Sequence, residues 1–500
     1  MISFIKKHKI ILIFLILATT LRLVSINQSL WLDEAIGAIE VRDNSYTHLF
    51  FEFSKFDNHP PLYYLVLKFW SGLFGYSEAS LRFPSILFGV GTILLTYLIA
   101  KKIGKKGRKY DSGITRRVSL SSALLITTSQ FHIYYSQEAR MYSMATFFAA
   151  LSTFAFLIVS GRFQTLRRFG TLAWILFSLS ITVLVFTDYV PIFLIPVFWL
   201  YGILKKKDGD WWLRFVASFI PLTILFLIWL PIFKIQAENG RWLLSILPAW
   251  KSVVGGATVK QAVLVWTKFV FGRISLLDKK LYFLLIGLAS LPILTSFYQA
   301  TRKKERSVVL IWLWLILPLS LGFLVSFIFP AFIYFRFLYV LPAFYLTISW
   351  GIYQIKSKFL SRMVFFTLIA FNFLSFLIYV YDEVEQREQW RQAVSLIEHN
   401  AREGDVALFE YPEPFAPYRW YAKGKINALG ATDSISADNQ KTSKITREIV
   451  ENKGGIFYFE YLRDLSDPTR VVERVLKEEK FEISEVYNFV GVGQVFYWKR

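Results

Sequence analysis

Two adjacent carboxylates, Asp33 and Glu34, stand in Trp31-Leu32-Asp33-Glu34-Ala35, just after an apolar run long enough to cross a membrane. An ionisable side chain beside a membrane span is costly, which makes each one a site candidate by default. Further charges recur at comparable places. Arg82 opens one apolar run, Glu138 and Arg140 occupy a tight turn between two runs, Asp188 closes another, and Arg336 begins a late one. Four carboxylates with three arginines at a lipid boundary suit a reaction that needs a base, together with cations that hold a phosphate leaving group. Glycosyl transfer from a lipid phosphate is such a reaction. One carboxylate, Asp33, takes the acceptor proton, while the departing phosphate needs only positive charge.

Each of these residues also has a plainer reading. Asp33 and Glu34 could be the solvated N-terminus of a helix, and Glu138 with Arg140 could be an ion pair tying a turn. Asp188 and Arg336 could snorkel or pair between helices. His59, in His59-Pro60-Pro61-Leu62, could be an exposed loop imidazole at the point where paired prolines end an extended segment and start a helix.

The elements that must position these groups are set by composition. Of 500 residues, 55% are hydrophobic and 18% aromatic, which points to a polytopic α-helical membrane protein. A hydrocarbon core of about 30 Å needs roughly 17 to 25 apolar residues per helix. Eleven runs are read as spans: 10–26, 81–100, 118–135, 141–160, 169–187, 190–204, 212–233, 281–300, 307–329, 335–355 and 363–381. The first carries Lys6, Lys7 and Lys9 before it and resembles a signal peptide, but it lacks a clear cleavage site and is read as a retained helix. Six basic connections, at 6–9, 101–117, 162–168, 205–214, 302–306 and 356–362, together equal the whole formal excess of +21. Short basic connections beside spans mark the cytoplasmic side, so nucleic acid is not implied as a partner. With eleven spans the N-terminus is cytoplasmic, and the acidic and arginine candidates share the opposite face. The apolar runs 62–74 and 262–271 are too short to span and are placed as juxtamembrane helices, within outer loops 27–80 and 234–280.

From Asp382 the chain becomes polar, with turns and short apolar runs such as Val406–Phe409 and 456–459 that suit buried strands. Trp390, Ala393, Val394 and Ile397 recur at helical spacing, and residues 489–497 alternate as a terminal hairpin would. The expected organisation is a membrane domain over 1–381 and a small extracytoplasmic α+β domain over 382–500. The chain has no cysteine, and its five histidines never approach metal-ligand spacing. No cofactor is therefore required on this reading; a divalent metal held by carboxylates is possible but not indicated.

The ordered series of motifs resembles the polyprenyl-phosphate-dependent glycosyltransferases of the GT-C fold, in particular the protein O-mannosyltransferase and aminoarabinose transferase relatives. Asp33-Glu34 resembles that family's acidic pair, and His59-Pro60-Pro61-Leu62 its His/Lys-Pro-Pro segment. Leu81-Arg82-Phe83-Pro84-Ser85 resembles its arginine at the start of the next span, and Ser136-Gln137-Glu138-Ala139-Arg140-Met141-Tyr142 its second acidic turn. Thr187-Asp188-Tyr189 stands where many bacterial members have Thr-His-Tyr, and Arg336-Phe337-Leu338 with Pro342 resembles their late Arg-Tyr-Leu segment. The resemblance implies that Asp33 is the base, that Glu34 and Glu138 position acceptor or sugar, and that Arg82 and Arg140 approach the carrier phosphate. It implies a polyprenyl-phosphate-linked sugar donor, with undecaprenyl phosphate as the carrier in a prokaryotic plasma membrane, and a protein, lipid or glycan acceptor.

Two other classes share some of these features. A transporter or flippase for a lipid-linked sugar would place polar groups near the midplane within repeat-related halves, neither of which is visible. An oligosaccharyltransferase-like enzyme would hold a divalent metal on carboxylates.

Overall fold

The computed structural model describes residues 2–106, 112–161, 167–247, 250–302 and 308–500. Helices dominate through Tyr381, and a five-stranded sheet with its own helices follows. Among the described residues, seven helical runs combine the length and apolarity needed to cross a membrane. They are Glu78–Gly104, Tyr142–Val159, Gly170–Thr187, Gly209–Ile246, Lys279–Arg302, Tyr334–Ile352 and Lys358–Tyr381. The other four expected spans are helical too, but the expected eleven are not reproduced on length and apolarity. Helix α1, Ile2–Leu23, contains the lysines that precede its apolar part. The run at 118–135 breaks into Ser112–Thr128 and Gln130–Ser136, because Ser129 adopts an extended conformation and its hydroxyl caps the second piece at His132. The remaining two, at 190–204 and Val309–Val325, are short. The basic connections at 101–117, 162–168 and 302–306 fall in part on residues outside the described ones.

The two short apolar runs fold as expected. Leu62–Phe74 and Val259–Phe271 are helices of 13 residues each, below spanning length. Between α1 and helix α2, Leu32–Asp43, the chain crosses a short irregular segment that the turn after Gln130–Ser136 holds in place. Gln137 Nε2 donates to the carbonyl of Arg22 at 3.0 Å, and Tyr379 Oη donates to Gln137 Oε1 at 3.2 Å. The ends of three helices thus meet beside the start of α2.

The sheet after residue 400 consists of β1 (Val406–Phe409), β2 (Asn427–Gly430), β3 (Gly455–Phe459), β4 (Glu482–Phe489) and β5 (Gly493–Lys499), in the order β2-β1-β3-β5-β4. Strand β1 pairs in parallel with β2 and β3, while β5 runs antiparallel to both β3 and β4. Strands β1 and β3 are buried along their whole length, as central strands covered on both faces must be. One face carries Trp390, Phe409, Phe459 and Tyr497; the other carries Leu408, Tyr458, Val472 and Trp498.

Close helix packing in the membrane body rests on small residues. A Cβ at Gly351 would lie 1.8 Å from the carbonyl oxygen of Ser296, so Leu341–Ile352 and Lys279–Arg302 touch backbone to backbone. Gly351→Val must separate the two helices. The expected cost is about 1–3 kcal/mol, the usual penalty of overpacking, read as a lowered thermal midpoint of the purified protein in detergent.

Candidate active site

Helix α2 begins after Trp31, whose backbone is extended and whose side chain supplies no cap. Asp33 and Glu34 fall in the first turn, where unpaired N–H groups and the helix dipole favour negative charge. Neighbours on a helix point about 100° apart, and the two carboxylates have different fates. Glu34 turns inward and is fully buried, whereas the Asp33 side chain keeps 36% of its exposure.

Glu34 accepts two hydrogen bonds from Arg82, Nε at 2.9 Å and Nη2 at 2.6 Å, and a third from the Ala139 amide at 2.8 Å. Arg82 spends its other donors on the carbonyls of Ile26, Gln28 and Ser29 at 2.6–3.0 Å. Burial alone would raise the Glu34 carboxyl, but the Arg82 guanidinium and the Ala139 amide hold it below the usual carboxylate range. All five N–H donors of Arg82 are used within the chain. Arg82 and Glu34 thereby form a clamp on the segment that leads into α2.

A second chain of contacts reaches Asp33. Asp57 accepts from His59 Nδ1 at 2.8 Å and from the Tyr64 hydroxyl; Tyr64 in turn accepts from Arg140 Nη1 at 2.6 Å. The other end of Arg140, Nη2, lies 3.5 Å from Asp33 Oδ2 and 3.4 Å from His59 Nδ1. Asp57 is held below the carboxylate range: burial works against this, and the charges of His59 and Arg140 with the Tyr64 hydroxyl outweigh it. Gln236 fixes the loop by donating to the carbonyls of Ser54, Asp57 and His59 at 2.6, 2.8 and 3.1 Å.

Glu138 lies apart from Asp33. It is buried and paired at 2.6 Å with Arg387, whose guanidinium also stacks over the Tyr134 ring at 3.7 Å. Burial raises the Glu138 carboxyl, and the Arg387 charge only partly offsets this. Asp188 is buried, accepts from the Val190 amide at 3.2 Å, and sits within electrostatic reach of His59, Arg336 and Arg140. Arg336 is half-buried; its hydrogen bond is to the Pro330 carbonyl at 3.4 Å. Tyr142 lies within electrostatic reach of Asp33, Arg140 and Arg336. Arg273 stacks over Tyr134 at 4.4 Å, beside Tyr135 and Tyr334.

The structure therefore gathers Asp33, His59, Arg140, Asp188 and Arg336 at one end of the helices. It sets Glu34 and Arg82 beneath them as a buried pair, and turns Glu138 toward Arg387. Sequence reasoning missed Asp57, Tyr64, Gln236, Arg273 and Arg387. Asp57 stands two residues before His59 and Tyr64 five after it, so both were within sight of a singled-out residue. Arg273 and Arg387 gave no local signal, since an isolated arginine in a polar loop looks like any solvated one.

The fold is that of the GT-C membrane glycosyltransferases. Residues 58–210 match the protein O-mannosyl-transferase TMEM260 N-terminal domain. That segment contains His59, Arg82, Glu138, Arg140 and Asp188; Asp33 and Glu34 precede it and Arg336 follows it. ArnT from Cupriavidus metallidurans bound to undecaprenyl phosphate is similar over 98% of both chains, at 12% identity and a TM-score of 0.62. The oligosaccharyltransferase AglB from Archaeoglobus fulgidus, in complex with an inhibitory peptide and a dolichol-phosphate, is 12% identical over 98% of this chain and 74% of its own, with a TM-score of 0.56. The arabinofuranosyltransferase AftD from Mycobacteria is 12% identical over 98% of this chain and 40% of its own, with a TM-score of 0.53. No curated protein matches the chain.

The two members of the acidic pair should respond differently to truncation. Glu34→Ala leaves Arg82 as an unpaired buried cation and is expected to cost about 3–5 kcal/mol. Asp33→Ala removes a part-exposed group and is expected to stay within about 0.5 kcal/mol of the parent. Thermal unfolding of the two variants in the same detergent checks the difference.

Proposed function

We propose that the protein is an inverting glycosyltransferase that moves a sugar from a polyprenyl-phosphate carrier to a protein hydroxyl, on the extracytoplasmic side of the plasma membrane. The observation that carries this reading is the contrast within the acidic pair. Glu34 is fully buried and accepts three hydrogen bonds within the chain, while Asp33 is accessible and faces the guanidinium of Arg140. A protein acceptor is favoured by the O-mannosyl-transferase domain matched at residues 58–210.

In the proposed reaction Asp33 accepts the proton of the acceptor hydroxyl as that oxygen attacks the anomeric carbon. The new carbon–oxygen bond forms as the bond to the phosphate oxygen breaks, and the phosphate leaves with the electron pair. A single displacement inverts the anomeric centre. Preorganised cations stabilise the charge that develops on the leaving group. Arg140, Arg336 and Arg273 are the guanidinium groups for this role, the last two having no carboxylate among their described ion pairs. His59 and Asp57 hold Arg140 in register through Tyr64. Orientation follows from the positive-inside rule applied to the basic connections, which together carry the formal excess of +21.

Relatives of the fold raise the question of a metal. Among the described residues no three His, Asp or Glu come together as ligands, and the nearest ionic partner of Asp33 is a cation. The residues present do not fit a resident divalent ion, so no step is routed through one.

Asp33→Asn exchanges one carboxylate oxygen for an amide of nearly equal size. Transfer should fall about 10²–10⁴-fold, the usual contribution of a positioned base, with the thermal midpoint unchanged. The assay is label moved from radiolabelled undecaprenyl-phosphate sugars to a membrane extract by purified protein in lipid. Turnover by the variant at the parent rate would remove Asp33 from its role.

A further inference from the structure

The linker between the membrane body and the sheet body returns to the start of α2. Arg387 holds Glu138, and its amide donates to Gln28 Oε1 at 3.0 Å. The next residue, Glu388, is clasped by the sheet body. It accepts from Trp390 Nε1 at 2.7 Å and from the Tyr461 hydroxyl at 3.1 and 3.3 Å. The β4–β5 turn closes over it: Gly491 has φ +74°, and a Cβ there would lie 2.7 Å from Glu388 Cγ. Gln389 and Val490 lock the approach with a reciprocal pair of hydrogen bonds at 2.9 and 3.0 Å.

The same carboxylate meets α2. The backbone amide of Leu32, the first residue of that helix, and the charge of Asp33 both lie within electrostatic reach of Glu388. The carboxylate thus faces the end of α2 that Trp31 leaves without a side-chain cap. Helix N-terminal amides need an acceptor, and a carboxylate is the favoured one because it also complements the helix dipole. Leu32 itself packs against the core of the sheet body, and the Tyr421 hydroxyl accepts from the Leu30 amide at 2.8 Å.

We propose that Glu388 is a positioning residue for Asp33: it caps α2 from the C-terminal body and sets a second carboxylate beside the base. The inference rests on the reading of Asp33 as that base. The titratable groups that face Glu388 are Asp33 from α2 and Tyr461 from the turn after β3; Trp390 and the Leu32 amide are neutral donors. Burial pushes the Glu388 carboxyl up to about 7, against the hydrogen bonds of Trp390 and Tyr461. Above that pH the ionised Glu388 makes Asp33 a stronger base toward the acceptor proton. Below it the neutral form gives no such help, so transfer rises with pH through this range.

The test uses the full chain in lipid nanodiscs with two independent readouts. The first is amide hydrogen exchange over residues 32–36. The second is the pH profile of transfer from whichever undecaprenyl-phosphate sugar the parent accepts. Glu388→Ala should speed exchange over residues 32–36 and lower kcat tenfold or more, with KM for the donor changed less than twofold. Glu388→Gln keeps an acceptor oxygen, so exchange should stay slow. Its transfer should lose the inflection near pH 7 and remain at the low-pH rate. Unchanged exchange in Glu388→Ala, or a parent-like inflection in Glu388→Gln, would overturn the proposal. A parent that moves no sugar from any donor sinks the transferase reading alone, and the exchange of Glu388→Ala still decides whether Glu388 positions Asp33.

Discussion

The buried pair of Glu34 and Arg82 is the constraint on which the site depends. Two charges removed from water are tolerable only when their geometry is good and every remaining donor finds a partner. Here all five donors of Arg82 do so. Two go to Glu34, and three go to the carbonyls of residues 26, 28 and 29. Those carbonyls belong to the segment between α1 and α2, so the pair fixes where α2 starts and which way its first turn faces. Glu34 then also accepts from the Ala139 amide, which brings the turn carrying Arg140 to the same place. One ion pair thereby sets the distance between Asp33 and its guanidinium neighbour.

That arrangement divides labour between adjacent residues of one kind. A helix turn sends Glu34 inward, where its charge is fully compensated, and leaves Asp33 at the surface with charge to spend on a substrate. The same separation recurs in the arginines. Arg82 and Arg387 are committed to buried carboxylates, whereas Arg336 and Arg273 lie against carbonyl and aromatic groups and have no carboxylate among their described ion pairs. Cations of the second kind are the ones a phosphate can use.

Much of this was legible in the sequence, and the boundary of legibility has a physical cause. Charges beside long apolar runs are rare, so Asp33, His59, Arg140, Asp188 and Arg336 could be singled out, and alternation of spans assigned them to one face. Strands β1 and β3 and the terminal hairpin followed from short apolar runs and alternation. What the sequence could not give is the partner of each charge. Arg82 at the start of a helix reads equally as a phosphate ligand or a clamp, and its five contacts are made to groups far away in sequence. Glu138 looked like the partner of Arg140, two residues on, but it pairs with Arg387 across almost half the chain. The role of the C-terminal body was invisible for the same reason. Its reach to Leu30, Leu32 and Glu138 is made by residues far apart in sequence, through groups that are individually ordinary.

The count of spans shows a different limit. Hydropathy identifies a run such as 118–135, but not the single extended residue, Ser129, that breaks it into two helices. In a membrane body such breaks are tolerated where side chains re-satisfy the freed backbone groups, as the Ser129 hydroxyl does at His132.

The measurement that bears most directly on the central claim is a structure of the protein with undecaprenyl phosphate bound in lipid. The account predicts the phosphate among Arg140, Arg273 and Arg336, with Asp33 on the side from which an acceptor hydroxyl would approach. A phosphate held at the opposite end of the helices, away from Arg140, would contradict it.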